Sequence, residues 1–148
     1  MPFRFSLQSI LHYRQGIEHQ QELRLRAANQ QVARVRHLIE QLDLRRQELH
    51  AARGTRLSAG IMSAELRFEL QCESGLMRHC GELEQQLIRL QRLRDQQFEI
   101  FRLARQSRET LDGVRDQQLQ SYRKNAIRRE QRELDDLFLL RRQFFLRG

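Results

Sequence analysis

"RGTRLSAGIMSAEL", residues 53–66, is the only concentrated cluster of helix-breaking signals in a chain of 148 residues. Gly54 and Gly60 relax the backbone, while Thr55, Ser58 and Ser63 offer side-chain oxygens that compete with helical hydrogen bonds. Nothing comparable occurs elsewhere. The single proline is Pro2, so no interior residue forces a helix to end by losing its N–H. Ser63 has the chemistry of an N-cap and Glu65 places a negative charge in the first turn. The stretch therefore predicts a break at about residues 54–62, between a first helix over about 5–53 and a second over about 63–143. Gly75 and Gly81 predict a softer or kinked opening to the second helix.

Composition outside the break agrees. Charged residues make up 31% of the chain, twenty residues are glutamine, and there is no tryptophan. Leu, Arg, Gln, Glu and Ala all favour helix, whereas β-branched runs, alternation and Asn-Gly turns are missing. The class is all-α.

The two flanks carry seams. Upstream, Leu7, Leu11, Arg14, Glu18, Gln21, Leu25, Ala28, Val32, Val35, Ile39, Leu42, Arg46 and Leu49 alternate steps of 4 and 3, and nine of these thirteen are apolar. That average of about 3.5 is the period of a left-handed coiled coil. The polar members cluster from Arg14 to Gln21 and predict loose packing there. Downstream, Leu83, Leu87, Leu90, Leu93, Gln97, Ile100, Ala104, Ser107, Leu111, Val114 and Gln118 form a second series, widened by Phe98, Phe101 and Leu103. Surface pairs such as Glu22–Arg26 contribute only a few tenths of a kcal/mol, so the seam must hold the fold.

Two helices joined by a short break fold back antiparallel. The expectation is a single domain over residues 1–148: an elongated antiparallel two-helix coiled coil with helices of about 73 and about 120 Å. The second overhangs the first by roughly 30 residues. That overhang contains "RREQRELDDLFLLRR", residues 128–142, in which nine of fifteen residues are charged and five of the last nine are large and apolar. An apolar patch with no internal partner points to another protein.

The formal charge of +8 and the pI of about 11.0 admit three partner classes: nucleic acid, an anionic membrane surface or an acidic protein. The basic stripe from Arg102 to Arg132 carries nine cations against four acids, and Tyr122 is its one aromatic. Stacking platforms for single strands need more interleaved rings than this, so a solvated coiled-coil flank is the better reading and no nucleic acid is expected. Chemistry for catalysis is missing: there is no phosphate-binding glycine loop, nucleophile elbow or dinucleotide fingerprint. Cys72, His79 and Cys80 lack the paired short spacings of structural zinc, and His12 and His19, seven apart, make a weak pair. No metal, cofactor or catalytic residue is expected, and the cysteines read as free thiols of a cytoplasmic protein. No stretch approaches the roughly 20 apolar residues that cross a bilayer.

The amino-terminal Phe3-x-Phe5-x-Leu7-x-x-Ile10-Leu11-x-x-Arg14 resembles the opening signature of the FliJ family of flagellar export proteins. The carboxyl-terminal run with Glu130, Glu133, Leu134, Asp135 and Asp136 is similar to that family's other hallmark. The resemblance implies a non-enzymatic part of the flagellar type III export apparatus, similar to the central stalk of rotary ATPases. Its implied partners are the hexameric export ATPase, the cytoplasmic domain of the export gate in the membrane, and export chaperones. It implies a cytoplasmic protein held peripherally at the inner membrane of the flagellar base. In an antiparallel hairpin both termini lie at one end, so the candidate ring-binding residues are Phe3, Phe5, Leu11, Arg123, Arg128, Arg129, Leu134, Leu137, Phe138 and Leu140. The family's gate-binding patch occupies one face of the early second helix at 4,3,4 spacing, matched here to Cys72, Leu76, His79 and Leu83. Packing of that face on the first helix is the structural alternative. An injectisome stalk, a coiled-coil scaffold that self-associates through its overhang, and a basic nucleic-acid-binding hairpin stay open as alternatives.

Overall fold

The structure, a computed structural model, describes residues 2–147. Two helices, α1 (Gln8–Ala59) and α2 (Ser63–Arg147), hold 52 and 85 residues, and no strand occurs among the described residues. The fold is the expected all-α antiparallel hairpin.

The link between them is shorter than the composition of residues 54–62 suggests. Gly54, Thr55 and Ser58 remain helical, and the two hydroxyls turn back onto the helix rather than ending it: Thr55 Oγ1 donates to the Ala51 carbonyl at 3.2 Å and Ser58 Oγ to the Gly54 carbonyl at 3.0 Å. Among the described residues only Gly60 has a positive φ, at 94°, the left-handed conformation that terminates helices and that glycine adopts without a Cβ clash. The chain re-enters helix at Met62, whose carbonyl accepts the Leu66 N–H at 3.1 Å. Ser63 is thus the first helical residue, and the cap position is Met62. Gly75 and Gly81 lie inside an unbroken α2.

The chain divides into two compact units. One is His19–Arg102, which contains the turn. In it Arg53 pairs with Glu73 and Arg56 with Glu69 across the helices, so residue numbers fall on α2 as they rise on α1. Val32, Val35 and Leu83 form its buried apolar centre. The other unit joins the chain up to Glu18 with the chain from Leu103 onward. Here Phe3 meets Tyr122 and Glu18 meets Arg108, the same antiparallel sense, around buried Phe5 and Leu11. Among the described residues Leu11 is the one large side chain with no exposure at all.

The α1 seam follows the predicted residues, with only Arg14 and Leu49 of the thirteen turned to solvent. The α2 seam departs from prediction after Leu90. Leu93 and Ile100 are 57% and 48% exposed, and Gln118 is exposed as well. Arg94 and Phe101 take the inward positions instead, while the predicted Ser107 and Val114 stay half-buried beside Arg108 and Arg115, so a strict alternation runs 83, 87, 90, 94, 97, 101, 104, 108, 111 and 115. A strict alternation requires a step of 4 after Leu90, and Arg94 satisfies it, half-buried and with its guanidinium on Asp95.

Candidate partner-binding surface

Before α1 begins, residues 2–7 run as a non-helical strap along α2. The Gln8 N–H donates to the Phe5 carbonyl at 3.1 Å and the Leu11 N–H to that of Leu7 at 2.9 Å, which fixes the entry into the helix. Phe5 and Leu11 point inward and are buried, while Phe3 is half-buried against Tyr122, ring centroids 5.6 Å apart. A tilted aromatic pair at that distance adds about 0.5–1.5 kcal/mol beyond its area.

The polar stretch from Arg14 to Gln21, expected to pack loosely, is instead tied down by hydrogen bonds. Arg108 donates from Nε and Nη2 to the two Glu18 carboxylate oxygens at 2.6 and 3.2 Å, and from Nη1 to Asp112 at 2.7 Å. These bonds hold the Arg108 pKa above its already high ordinary value. In the other unit, Gln97 Nε2 donates to Gln21 Oε1 at 2.6 Å. Both glutamines belong to the predicted seams, so polar residues at seam positions were the available signal.

Ala126 is the last residue of α2 that is even half-covered; from Ile127 to Arg147 every described side chain is exposed. That run carries nine exposed large apolar residues, among them Leu134, Leu137, Phe138, Leu140, Phe144 and Phe145. The ten candidate ring-binding residues therefore divide. Phe5 and Leu11 are interior and Phe3 packs on Tyr122, while Arg123, Arg128, Arg129, Leu134, Leu137, Phe138 and Leu140 lie open on one helix.

The four residues matched to a gate patch divide too. Leu83 is buried and Leu76 half-buried, whereas Cys72 and His79 are exposed. The open face of this part of α2 is Phe68, Cys72, Gly75 and His79, again at 4,3,4 spacing but starting four residues earlier. Phe68 lies outside both predicted seams, upstream of Leu83, and is 67% exposed. Phe68 and Cys72 also line a groove of about 630 Å³ beside the turn, with Leu49, Ala52, Arg53 and Arg56 across from them. Burial and the nearby Glu84 and Asp43 carboxylates push the Cys80 thiol pKa up. No helix among the described residues is long and apolar enough to cross a membrane.

The family model described as "Flagellar FliJ protein" matches residues 3–147. No similarity to a curated protein or to a solved structure was found. A match over nearly the whole length, on a helical hairpin of this form, establishes that the chain belongs to the FliJ family, the non-catalytic components of flagellar type III export.

Proposed function

We propose that the chain is the stalk of the export machinery: its carboxyl-terminal overhang enters the ring of the hexameric export ATPase and promotes ring assembly and ATP hydrolysis. The observation that carries this reading is the run from Ile127 to Arg147, fully helical yet exposed on every side despite its nine large apolar residues. Such a segment is stable against solvent only if another surface covers it. Arg123, Arg128 and Arg129 stand at its base, where cations are complementary to acidic loops of a ring. Phe3, Phe5 and Leu11 act from inside, clamping the strap so that the overhang projects from a fixed base. The export gate meets the open face of Phe68, Cys72, Gly75 and His79, and export chaperones use the same helical surface. The protein works in the cytoplasm, peripherally at the inner membrane of the flagellar base.

The test is the ATP hydrolysis rate of the cognate export ATPase with and without the chain. Truncation after Ala126 spares every covered residue, and Leu137→Asp and Arg128→Glu leave the hairpin intact. Stimulation by the full chain and its loss in all three variants support the stalk. Equal stimulation by the truncated form removes the overhang from the mechanism. Phe68→Ala is expected to weaken capture by the gate's cytoplasmic domain while leaving ATPase stimulation unchanged.

A further inference from the structure

We propose that the overhang is also complementary to itself and pairs antiparallel with the overhang of a second copy of this chain. This pairing occupies the surface when no ring does, and it stands independently of the stalk reading.

Leu134, Phe138, Arg141 and Phe145 recur at steps of 4, 3 and 4, so they share one face of α2. Leu137 and Phe144 lie seven apart on one flank of that face, and Asp135 and Arg142 lie seven apart on the other. All eight are exposed. Two such faces brought together about a twofold axis near residues 139 and 140 interlock in a single register. Leu134 meets Phe145 of the second copy, and the Arg141 guanidinium lies over the Phe138 ring of the second copy, a cation–π arrangement. In an antiparallel pair each flank meets the same flank of its mate. Leu137 then packs on Phe144 of the second copy, and Asp135 pairs with Arg142 of the second copy, each twice by symmetry. The order acid, apolar run, base in "DDLFLLRR", residues 135–142, is what makes the segment complementary to its own reverse.

Charge separates this occupant from an anionic lipid surface. Residues 127–147 carry six arginines, but Glu130, Glu133, Asp135 and Asp136 interrupt them and would be repelled there, whereas against a second copy Asp135 is matched. Five exposed apolar residues per copy, at roughly 100 Å² each, cover about 1,000 Å² in all, the range of weak and reversible interfaces. Such a dimer forms at micromolar concentration and yields to a stronger partner.

Sedimentation equilibrium of the full chain from 5 to 200 µM (chosen to bracket about 10–100 µM affinities) is expected to give a concentration-dependent dimer. Asp135→Arg and Arg142→Asp are each expected to weaken it about ten-fold, since each turns two attractions into repulsions. Mixing the two variants restores association, because both contacts become Arg against Asp again. A chain monomeric throughout overturns the proposal, as does a dimer that neither variant weakens. A monomer that binds vesicles of one-quarter phosphatidylserine overturns it in favour of a lipid partner. Unchanged helical circular dichroism in each variant excludes misfolding as the cause.

Discussion

Leu11→Ala is the most informative single change for the hairpin's stability. Leu11 is 0% exposed and is joined in the interior of its unit by Phe5. Truncating a buried leucine costs about 2–5 kcal/mol, part from lost transfer energy and part from the cavity left behind. A two-helix layer closes on a cavity more readily than a thick core does, so the cost here falls at about 3 kcal/mol. The control is Leu137→Ala on the same protein: Leu137 is 59% exposed, so little covered area is lost and the cost is about 0.5 kcal/mol or less. Urea unfolding followed by circular dichroism gives both numbers. Hydrogen exchange locates the effect: amides of residues 8–18 and 103–126 are expected to exchange faster in Leu11→Ala, and those of residues 32–83 to stay as they were. A Leu11→Ala cost within 0.5 kcal/mol of the Leu137→Ala cost would refute the reasoning, because Leu11 would then not be an interior residue at all.

Three further outcomes are expected. Arg108→Ala destabilises more than Glu18→Ala, by about 1 kcal/mol, since removing Arg108 strands two carboxylates while removing Glu18 leaves Arg108 its Asp112 partner; comparing the two melting curves checks this, and the reverse order would refute it. The hydrogen bond from Arg53, aided by the charges of Arg53, His50 and Arg46, holds the Glu73 carboxyl below its ordinary value. A lowered carboxyl stabilises the folded form above its unfolded pKa and loses that effect as pH falls through the folded value, so exchange beside the turn should rise below about pH 4; Glu73→Gln should remove that dependence. Cys72 is exposed, whereas Cys80 is half-buried with a raised pKa, so iodoacetamide at pH 7.5 (about one unit below an ordinary thiol) labels Cys72 first, read by peptide mass spectrometry.

Much of the fold was legible in the sequence because a helical hairpin is specified locally. Steps of 4 and 3 from Leu7 to Arg46 mark the covered face of α1, and one cluster of small residues marks the turn. The hallmarks at the two ends of the chain marked the family, which the match over residues 3–147 bears out. Three things lay outside reach of the pattern. Whether Leu93 or Arg94 turns inward depends on which face of α2 meets α1, and both steps are compatible with helical periodicity. Gly54, Thr55 and Ser58 look like a break by composition, yet they stay helical, with the Thr55 and Ser58 hydroxyls turned onto carbonyls four residues back. Phe68 and Phe5 have the same chemistry, yet one is open to solvent and the other is interior.

The sequence by itself determined that the chain forms two helices, that they reverse somewhere within residues 54–62, and that α2 is the longer. Periodicity and breaker residues are local properties and need no knowledge of what lies across the seam. Only the tertiary structure decided which apolar side chains are core and which are surface: Phe5 and Leu11 against Leu137 and Phe138. Burial is a relation between two segments, and hydrophobic free energy depends on the area another surface removes from water rather than on the residue's identity.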